Sequence, residues 1–533
     1  MKPMTFLRSL QTRIFLVCFV VYCAFFATNV VREHYPAFAL VEHGNFRVDQ
    51  YQGWHADIFV YKDGHSYINN NVATSLFAAL PLFVFDPVLN ALERHSKAVL
   101  AQSHGEVDTQ YTTKYENRRE MFRKVKLAGK DLRFGAATVI TSVCLMAPLG
   151  ALCVVLLYGF LLSRGVERTR AVWLALLFAF GTPVFYRMAH LSQNLLLMAA
   201  TFGAFLCLYE APGLPYAPTL RRRLGAGLLL GTAFALDYAG LIPPTVVAVY
   251  FLWNRTRAAG PLSALRSSLA ILAGGVPGLA FLLWSQWSQF GSPFTPAQFV
   301  MKAANFTDEG VRGMGAPSVE IFIKNLVSPG WGLYTFGPIL LLGLWPVGTR
   351  PDAELVVPHR ERRMFVVLIA LFLLFCAGNR YSLMQFNTGC RYLVVLVPFI
   401  FLQACDQLAH YKPRVLMLLS VLAVAHSLVL CMTREVNDTE KNLRDTAQAQ
   451  HISELALPGY WRAELTETPI PVAYQRIVHE GVQLPWLTVL GQTAQTPLVK
   501  GPLLPGVLLL LVLGACIGIW QLGARAERRH PPA

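Results

Sequence analysis

The sequence predicts an all-α polytopic membrane protein with about twelve transmembrane helices, eleven at fewest and thirteen at most. Three observations lead to this class. The chain of 533 residues is 54% hydrophobic and only 14% charged, whereas soluble domains carry roughly 25% charged residues. Apolar runs of about 18 or more residues recur along its whole length. The basic residues sit in short clusters between those runs, as topology signals do. The alternating pattern of a membrane β-barrel is absent.

The runs fall at 14–31, 136–162, 171–186, 191–209, 224–240, 242–253, 267–284, 333–347, 364–378, 391–409, 415–431 and 503–522. The first follows Lys2, Arg8 and Arg13. It is long and leads into a membrane-embedded chain, so a retained helix is expected, although "AFA" at 37–39 has the small-residue spacing of a cleavage site. Basic clusters close every second connection: Arg164/Arg168/Arg170, Arg221/Arg222/Arg223, Arg255/Arg257/Arg266, Arg360/Arg362/Arg363 and Lys412/Arg414. Both termini are basic as well. With the N-terminus inside, all of these are cytoplasmic, and loops 32–73, 187–190, 285–332, 379–390 and 432–502 lie outside.

That parity holds only if 72–92 does not cross. Asp86-Pro87 interrupts the segment, so it is expected to lie in the outer interface or to enter and return. Loop 93–133 is then outside despite holding ten Lys/Arg against six acids. Long loops obey the charge rule weakly, and a basic outer loop attracts lipid phosphates. The expected organisation is a transmembrane domain, 1–431, with an outer loop, 32–133, containing interfacial helices. A small outer segment, 432–502, follows, and then a final helix with a basic tail, 503–533.

Several classes are excluded. The formal charge of +15 is spread over topology signals, so no nucleic-acid partner is expected. The ten Cys have neither metal-ligand spacing nor a disulfide framework. Walker A, G-x-G-x-x-G after a strand, and H-E-x-x-H are all missing, which argues against a primary pump. Chemistry, if present, is built from loops and helix ends at the outer face.

Candidate residues follow from that topology. "GWHADIFVYKDGHSYINNN" (53–71) is polar and precedes an apolar segment. Asp49 and Asp57 lie in the first outer loop, where a bilayer surface strips hydration and can raise a carboxylate into the range of a general base. Asn70 belongs to the Asn run. Candidate cations for a departing phosphate are Arg187, Lys302, Arg380 and Arg391. Asp237, in "TAFALDYAGLIPP", is an acid at the outer end of an apolar helix, where ionisable groups are costly. His190 sits in a short outer turn. Arg391, before Tyr392, starts a helix from the outside, so its guanidinium can grip phosphate. Each has a plainer reading as a solvated loop residue, a turn closer or an interfacial snorkeller.

Six ordered blocks over roughly residues 39–402 carry a resemblance: "ALVEHGNFRVDQYQGWHADIFVYKDGHSYI" with "SLFAALPLFVF"; "FGTPVFYRMAHLSQNLLLMAATFGAFLCLY"; "LLLGTAFALDYAGLI"; "FGSPFTPAQF"; "SPGWGLYTFGPILLL"; and "NTGCRYLVVLVPF". Together they resemble the GT-C class of membrane glycosyltransferases, which includes protein mannosyltransferases and enzymes that add aminoarabinose to lipid A. The resemblance implies a polyprenyl-phosphate-linked sugar donor and a lipid, glycan or protein acceptor. It also implies a site at the periplasmic face of a bacterial inner membrane, with both termini cytoplasmic. An acid of the first outer loop then serves as base or metal ligand, so a divalent metal ion is the one cofactor in view. Asp57 matches that acid, with Asp49 second, and Arg391-Tyr392 resembles the Arg-Tyr near the donor phosphate. The chain departs from the pattern at "NNNVAT" (69–74), where relatives often have Lys and Pro-Gly, and at Trp331, where a basic residue is usual.

The reading is an inverting glycosyltransferase. The alternatives are a transporter or flippase of a lipid-linked or anionic solute, and a non-catalytic envelope-assembly protein on the same scaffold. A transporter needs polar groups through the membrane centre. Here they gather at one face, and no inverted repeat is visible.

Overall fold

In a computed structural model, the structure describes residues 9–28, 30–55, 57–102, 116–188, 190–211, 214, 216–301, 310–328, 332–383, 390–433, 474, 477–479, 481–487 and 503–529. Nearly all regular structure is helical. In chain order, α1 is Leu10–Ala24 and α2 His34–His43, followed by strands β1, Ile58–Val60, and β2, Ser66–Ile68. Then come α3 (Ala73–Val84), α4 (Asp86–Gln102), α5 (Glu116–Leu127), α6 (Asp131–Thr141), α7 (Ala147–Ser163), α8 (Arg168–Phe180) and α9 (Pro183–Arg187). These are followed by α10 (Gln193–Leu208), α11 (Leu220–Leu236), α12 (Ile242–Ala259), α13 (Pro261–Phe290), α14 (Ala297–Val300) and α15 (Val319–Val327). The last are α16 (Leu333–Phe336), α17 (His359–Gly378), α18 (Val397–Leu408), α19 (Pro413–Met432) and α20 (Leu503–Arg529).

Four helical stretches among the described residues are long and apolar enough to cross a membrane: Asp131–Ser163, Pro261–Phe290, Pro413–Met432 and Leu503–Arg528. The pair α3 and α4 would make a fifth if counted as one span, but the chain turns by 78° between them. The architecture is therefore compatible with an all-α membrane protein, and the count falls short of the expected twelve. Some runs form unbroken but shorter helices, as in α1 and α10, and for three others the reason is local. The run 171–186 stops at Gly181, and Thr182-Pro183 starts the short α9. The run 333–347 divides at Gly337-Pro338 into α16 and a 3-10 turn. The run 391–409 opens as another 3-10 turn before Pro398. Proline and glycine at these points withhold the donors or the rigidity a continuous helix needs.

The expectation for 72–92 fares better, since this segment does not form one straight span. At the bend Phe83 and Val84 are 69% and 71% exposed. They form an apolar elbow that water alone would not favour.

Helices α11 and α13 pack backbone to backbone. A Cβ on Gly227 would lie 2.0 Å from the Ile271 carbonyl oxygen, and one on Gly278 would lie 2.2 Å from the Gly231 carbonyl carbon. Small residues at four-residue spacing permit such an approach.

The hairpin strands pair antiparallel, with Phe59 opposite Tyr67. Asn69, Asn70 and Asn71 follow β2 and lead to α3. Asn71 Nδ2 donates to the carbonyl of Ala235, at the C-terminal end of α11, over 3.2 Å. The hairpin therefore caps one end of the bundle, the hairpin face. The other end of α11 carries Arg222 and Arg223, on the arginine face. There the arginines expected as topology signals also stitch loops together. Arg164 Nη2 donates to the carbonyls of Asp352 and Leu355 at 2.7 and 2.9 Å. Arg362 pairs with the buried Asp406, whose Oδ1 accepts from the Val356 amide at 2.6 Å.

Candidate functional site

The hairpin face gathers most of the residues singled out in the sequence. Asp57 precedes β1, and Asn69 follows β2. Pairing of the two strands brings them together, and Asn69 Nδ2 donates to Asp57 Oδ1 over 3.0 Å. The other oxygen, Oδ2, accepts from Arg32 Nη1 at 3.2 Å. His55 Nδ1 accepts from the Asp57 amide at 3.1 Å and lies 3.8 Å from Oδ2.

From Arg32 a chain of polar contacts runs into the protein. Arg32 Nε donates to Glu33 Oε1 at 3.2 Å. The same oxygen accepts from Asn70 Nδ2 at 3.2 Å, and Asn70 Nδ2 also donates to Gln193 Oε1 at 2.5 Å. Gln193, the first residue of α10, donates through Nε2 to Asp237 Oδ2. Asp237 ends α11, and its Oδ1 accepts from the Ala239 amide at 2.9 Å. Glu33, Asn70 and Gln193 are buried. Burial makes an unpaired polar group costly, so such a chain holds only when its members satisfy one another.

Arg391 closes the group. Its charge acts on both Asp57 and Asp237, as does that of Arg32. The Arg391 guanidinium lies 5.4 Å from the centroid of the Tyr392 ring, which is itself buried. Three carboxylates, Asp57, Glu33 and Asp237, thus face two guanidinium groups, Arg32 and Arg391.

Electrostatics corrects one expectation. Burial does push Asp57 upward, but the charges of Arg32, His55 and Arg391 and the Arg32 hydrogen bond outweigh it. The carboxyl is held below the usual aspartate range. Asp57 is an ionised, oriented carboxylate, not one raised toward neutrality by a bilayer.

The remaining candidates are placed apart from this chain. Asp49 fastens the hairpin: Oδ1 accepts from the Ser66 amide at 2.5 Å, and Oδ2 lies 2.9 Å from His65 Nδ1. Burial raises it, and the Ser66 amide, His65 and Arg47 together more than reverse that. Its contacts are those of a turn brace. Arg187 is buried, donates to Ser192 Oγ at 3.1 Å, and acts on the thiol of Cys390, next to Arg391. It therefore lies close to the Cys390-Arg391 end of the cluster. His190 is half-buried in the turn between α9 and α10. Arg380 is half-buried in a 3-10 turn, its amide donating to the Gly313 carbonyl at 2.9 Å. Lys302, Trp331 and residues 434–473 lie outside the described residues.

Sequence reasoning missed Arg32, Glu33, Asn69 and Gln193. Arg32-Glu33 had a signal: an ion pair in sequence on the side of the first apolar run where positive charge is disfavoured. Gln193 had none. The Asn run is explained by position, because each of the three side chains bridges to a different group.

A divalent metal fits poorly here. Among the described residues no three His, Cys, Asp or Glu side chains group so as to hold one. Both oxygens of Asp57 are already engaged by Arg32 and Asn69.

No family model, no curated protein and no solved structure matches this chain.

Proposed function

We propose that this chain is a membrane glycosyltransferase of the GT-C kind. It would move a sugar from a polyprenyl-phosphate donor to a hydroxyl acceptor at the hairpin face, taken as the periplasmic side of a bacterial inner membrane. The observation that carries the reading is the meeting of Asp57, Arg32, Asp237 and Arg391-Tyr392 at one end of an apolar bundle. An ionised carboxylate and a guanidinium side by side suit a reaction in which one group receives a proton and another receives phosphate charge.

In this reaction the acceptor oxygen bonds to the anomeric carbon from the face opposite the phosphate. The carbon–oxygen bond to phosphate breaks, with inversion. The acceptor proton passes to Asp57, and the polyprenyl phosphate leaves beside Arg391. Arg32 keeps Asp57 ionised and fixes its direction. The same resemblance implies phosphate binding by Arg391-Tyr392.

The test is transfer by the full chain in vesicles supplied with polyprenyl-phosphate sugars, alongside glycan and lipid profiles of cells with and without the gene. Asp57→Asn is expected to lower transfer by about 10²-fold or more, the usual range for a lost general base, with unchanged membrane insertion. Full activity in that variant removes Asp57 from the role. Unchanged envelope profiles and no transfer from any donor would remove the reading itself.

A further inference from the structure

We propose that the fissure between α1, α8, α19 and α20, near the arginine face, binds one phospholipid whose headgroup carries both a phosphate and a primary ammonium. The cavity measures about 570 Å³, within the range of roughly 300–1,000 Å³ typical of ligand sites. Its walls are apolar side chains, among them Leu10, Val172, Leu176, Phe180 and Val424. Along α8 the lining runs from Arg168 to Phe180. At about 1.5 Å per residue that is roughly 18 Å, slightly more than half of a hydrocarbon core about 30 Å thick. The fissure is thus one leaflet deep, with its polar mouth at one end.

Helix α20 forms one wall of the fissure. Its apolar window is only 6% buried. It is pinned through Glu527, which pairs with Arg13 and with Arg168 Nη2 at 2.9 Å, and through Trp520, 5.6 Å beneath the Arg13 guanidinium. From α20 the fissure is lined by Trp520 and Glu527, and acyl chain is the material that fills such a gap in a bilayer.

The mouth selects the headgroup by charge. Arg168 is 55% exposed and Glu527 28% exposed, so both reach solvent while touching each other. A guanidinium has five donors and a carboxylate about four lone-pair sites. The pair can therefore add a phosphate on the Arg168 side and an ammonium on the Glu527 side without separating. A choline headgroup offers no N–H to Glu527. A glycerol headgroup offers Glu527 hydroxyl donors but no cation to balance its charge. Trp173, whose Nε1 donates to Ser420 Oγ at 2.8 Å, and Trp520 line the cavity.

The full chain, stripped of lipid in detergent, is titrated with bromine-labelled phosphatidylethanolamine, phosphatidylcholine and phosphatidylglycerol of identical acyl chains. The readout is the tryptophan emission lost in the Trp173→Phe/Trp520→Phe double variant. The ethanolamine lipid is expected to quench that component at roughly tenfold lower mole fraction than the others. Glu527→Gln should abolish the difference. Val424→Phe, which fills the fissure and spares the charges, should abolish the quenching while the protein stays monodisperse. Equal quenching by the three lipids overturns the proposal, as does a preference that survives Val424→Phe. So does quenching that vanishes with a concentration-dependent dimer, which would make a second copy the occupant.

Discussion

Arg32 Nη1 and Asp57 Oδ2 lie 3.2 Å apart, joining the segment between α1 and α2 to the foot of the hairpin. Their side chains are only 18% and 29% exposed, so the pair is shielded more than a surface bridge. Asp57 is held below the ordinary value of 3.8. A depressed carboxylate stabilises the fold above its unfolded value and loses that contribution as pH falls through its folded value. Arg32→Gln should therefore cost about 1–3 kcal/mol near neutral pH. Thermal unfolding in detergent should show the gap between the two proteins closing as pH drops below 3.8. A gap that stays constant to low pH would mean that Arg32 contributes by packing alone.

Asn70 is a hub without charge. It donates to Glu33 Oε1 and to Gln193 Oε1. Asn70→Leu keeps most of the volume and strands two buried acceptors, at about 1–3 kcal/mol each. Asn70→Asp should be no better, since it adds a carboxylate beside Glu33. Unfolding temperatures of both variants check this, and a loss within 0.5 kcal/mol would mean that water replaces Asn70 freely.

The readable part of this protein was its chemistry of place. Asp57, Asp237 and Arg391 come together at one end of the bundle, and hydropathy alone puts each of them where an apolar segment meets a polar one. The span count was less readable. Hydropathy sums over a run and does not register that Gly181, Gly337 and Pro398 break helices inside it. Gln193 was invisible because its role depends on which helix end faces the Asn run, a tertiary fact. Asp57's depression was misjudged because its main opposing charge, Arg32, lies 25 residues earlier in sequence.

A second buried charge organises the first loop. Arg133, 1% exposed, reaches Glu42 Oε1 at 2.7 Å, Asp86 Oδ1 at 3.4 Å and Glu93 Oε2 at 3.5 Å. It ties α6 to α2 and α4, including the elbow. Arg133→Met leaves three acids facing one another, and removal of one partner from a buried network costs about 3–5 kcal/mol. Adding Glu42→Gln to that variant should recover part of the loss. If the double variant is no more stable than the single one, Arg133 acts chiefly through its 5.8 Å contact with the Phe38 ring.

His34, at the start of α2, makes the fold sensitive to mild acid. Its Nδ1 lies 3.1 Å from the Val31 amide nitrogen and 3.3 Å from the Val31 carbonyl oxygen, and its Nε2 lies 3.1 Å from Thr141 Oγ1. Thr141 in turn donates to the Ala137 carbonyl at 2.9 Å. The ring is buried, and burial disfavours its charged form. Burial pushes His34 down from 6.5 to about 4, against the opposing pull of Glu33 and Val31. The unfolded chain then binds a proton that the folded chain refuses, so stability is full above pH 6.5 and declines until about pH 4. The span corresponds to a loss on the order of 3 kcal/mol. His34→Gln retains a donor toward Thr141 and removes the titration. Its unfolding temperature should change less than that of the native protein between pH 6.5 and 4, and the two curves should converge toward the acid end. Parallel curves over that range would show that His34 protonates without cost, by turning its ring out of the α2–α6 contact.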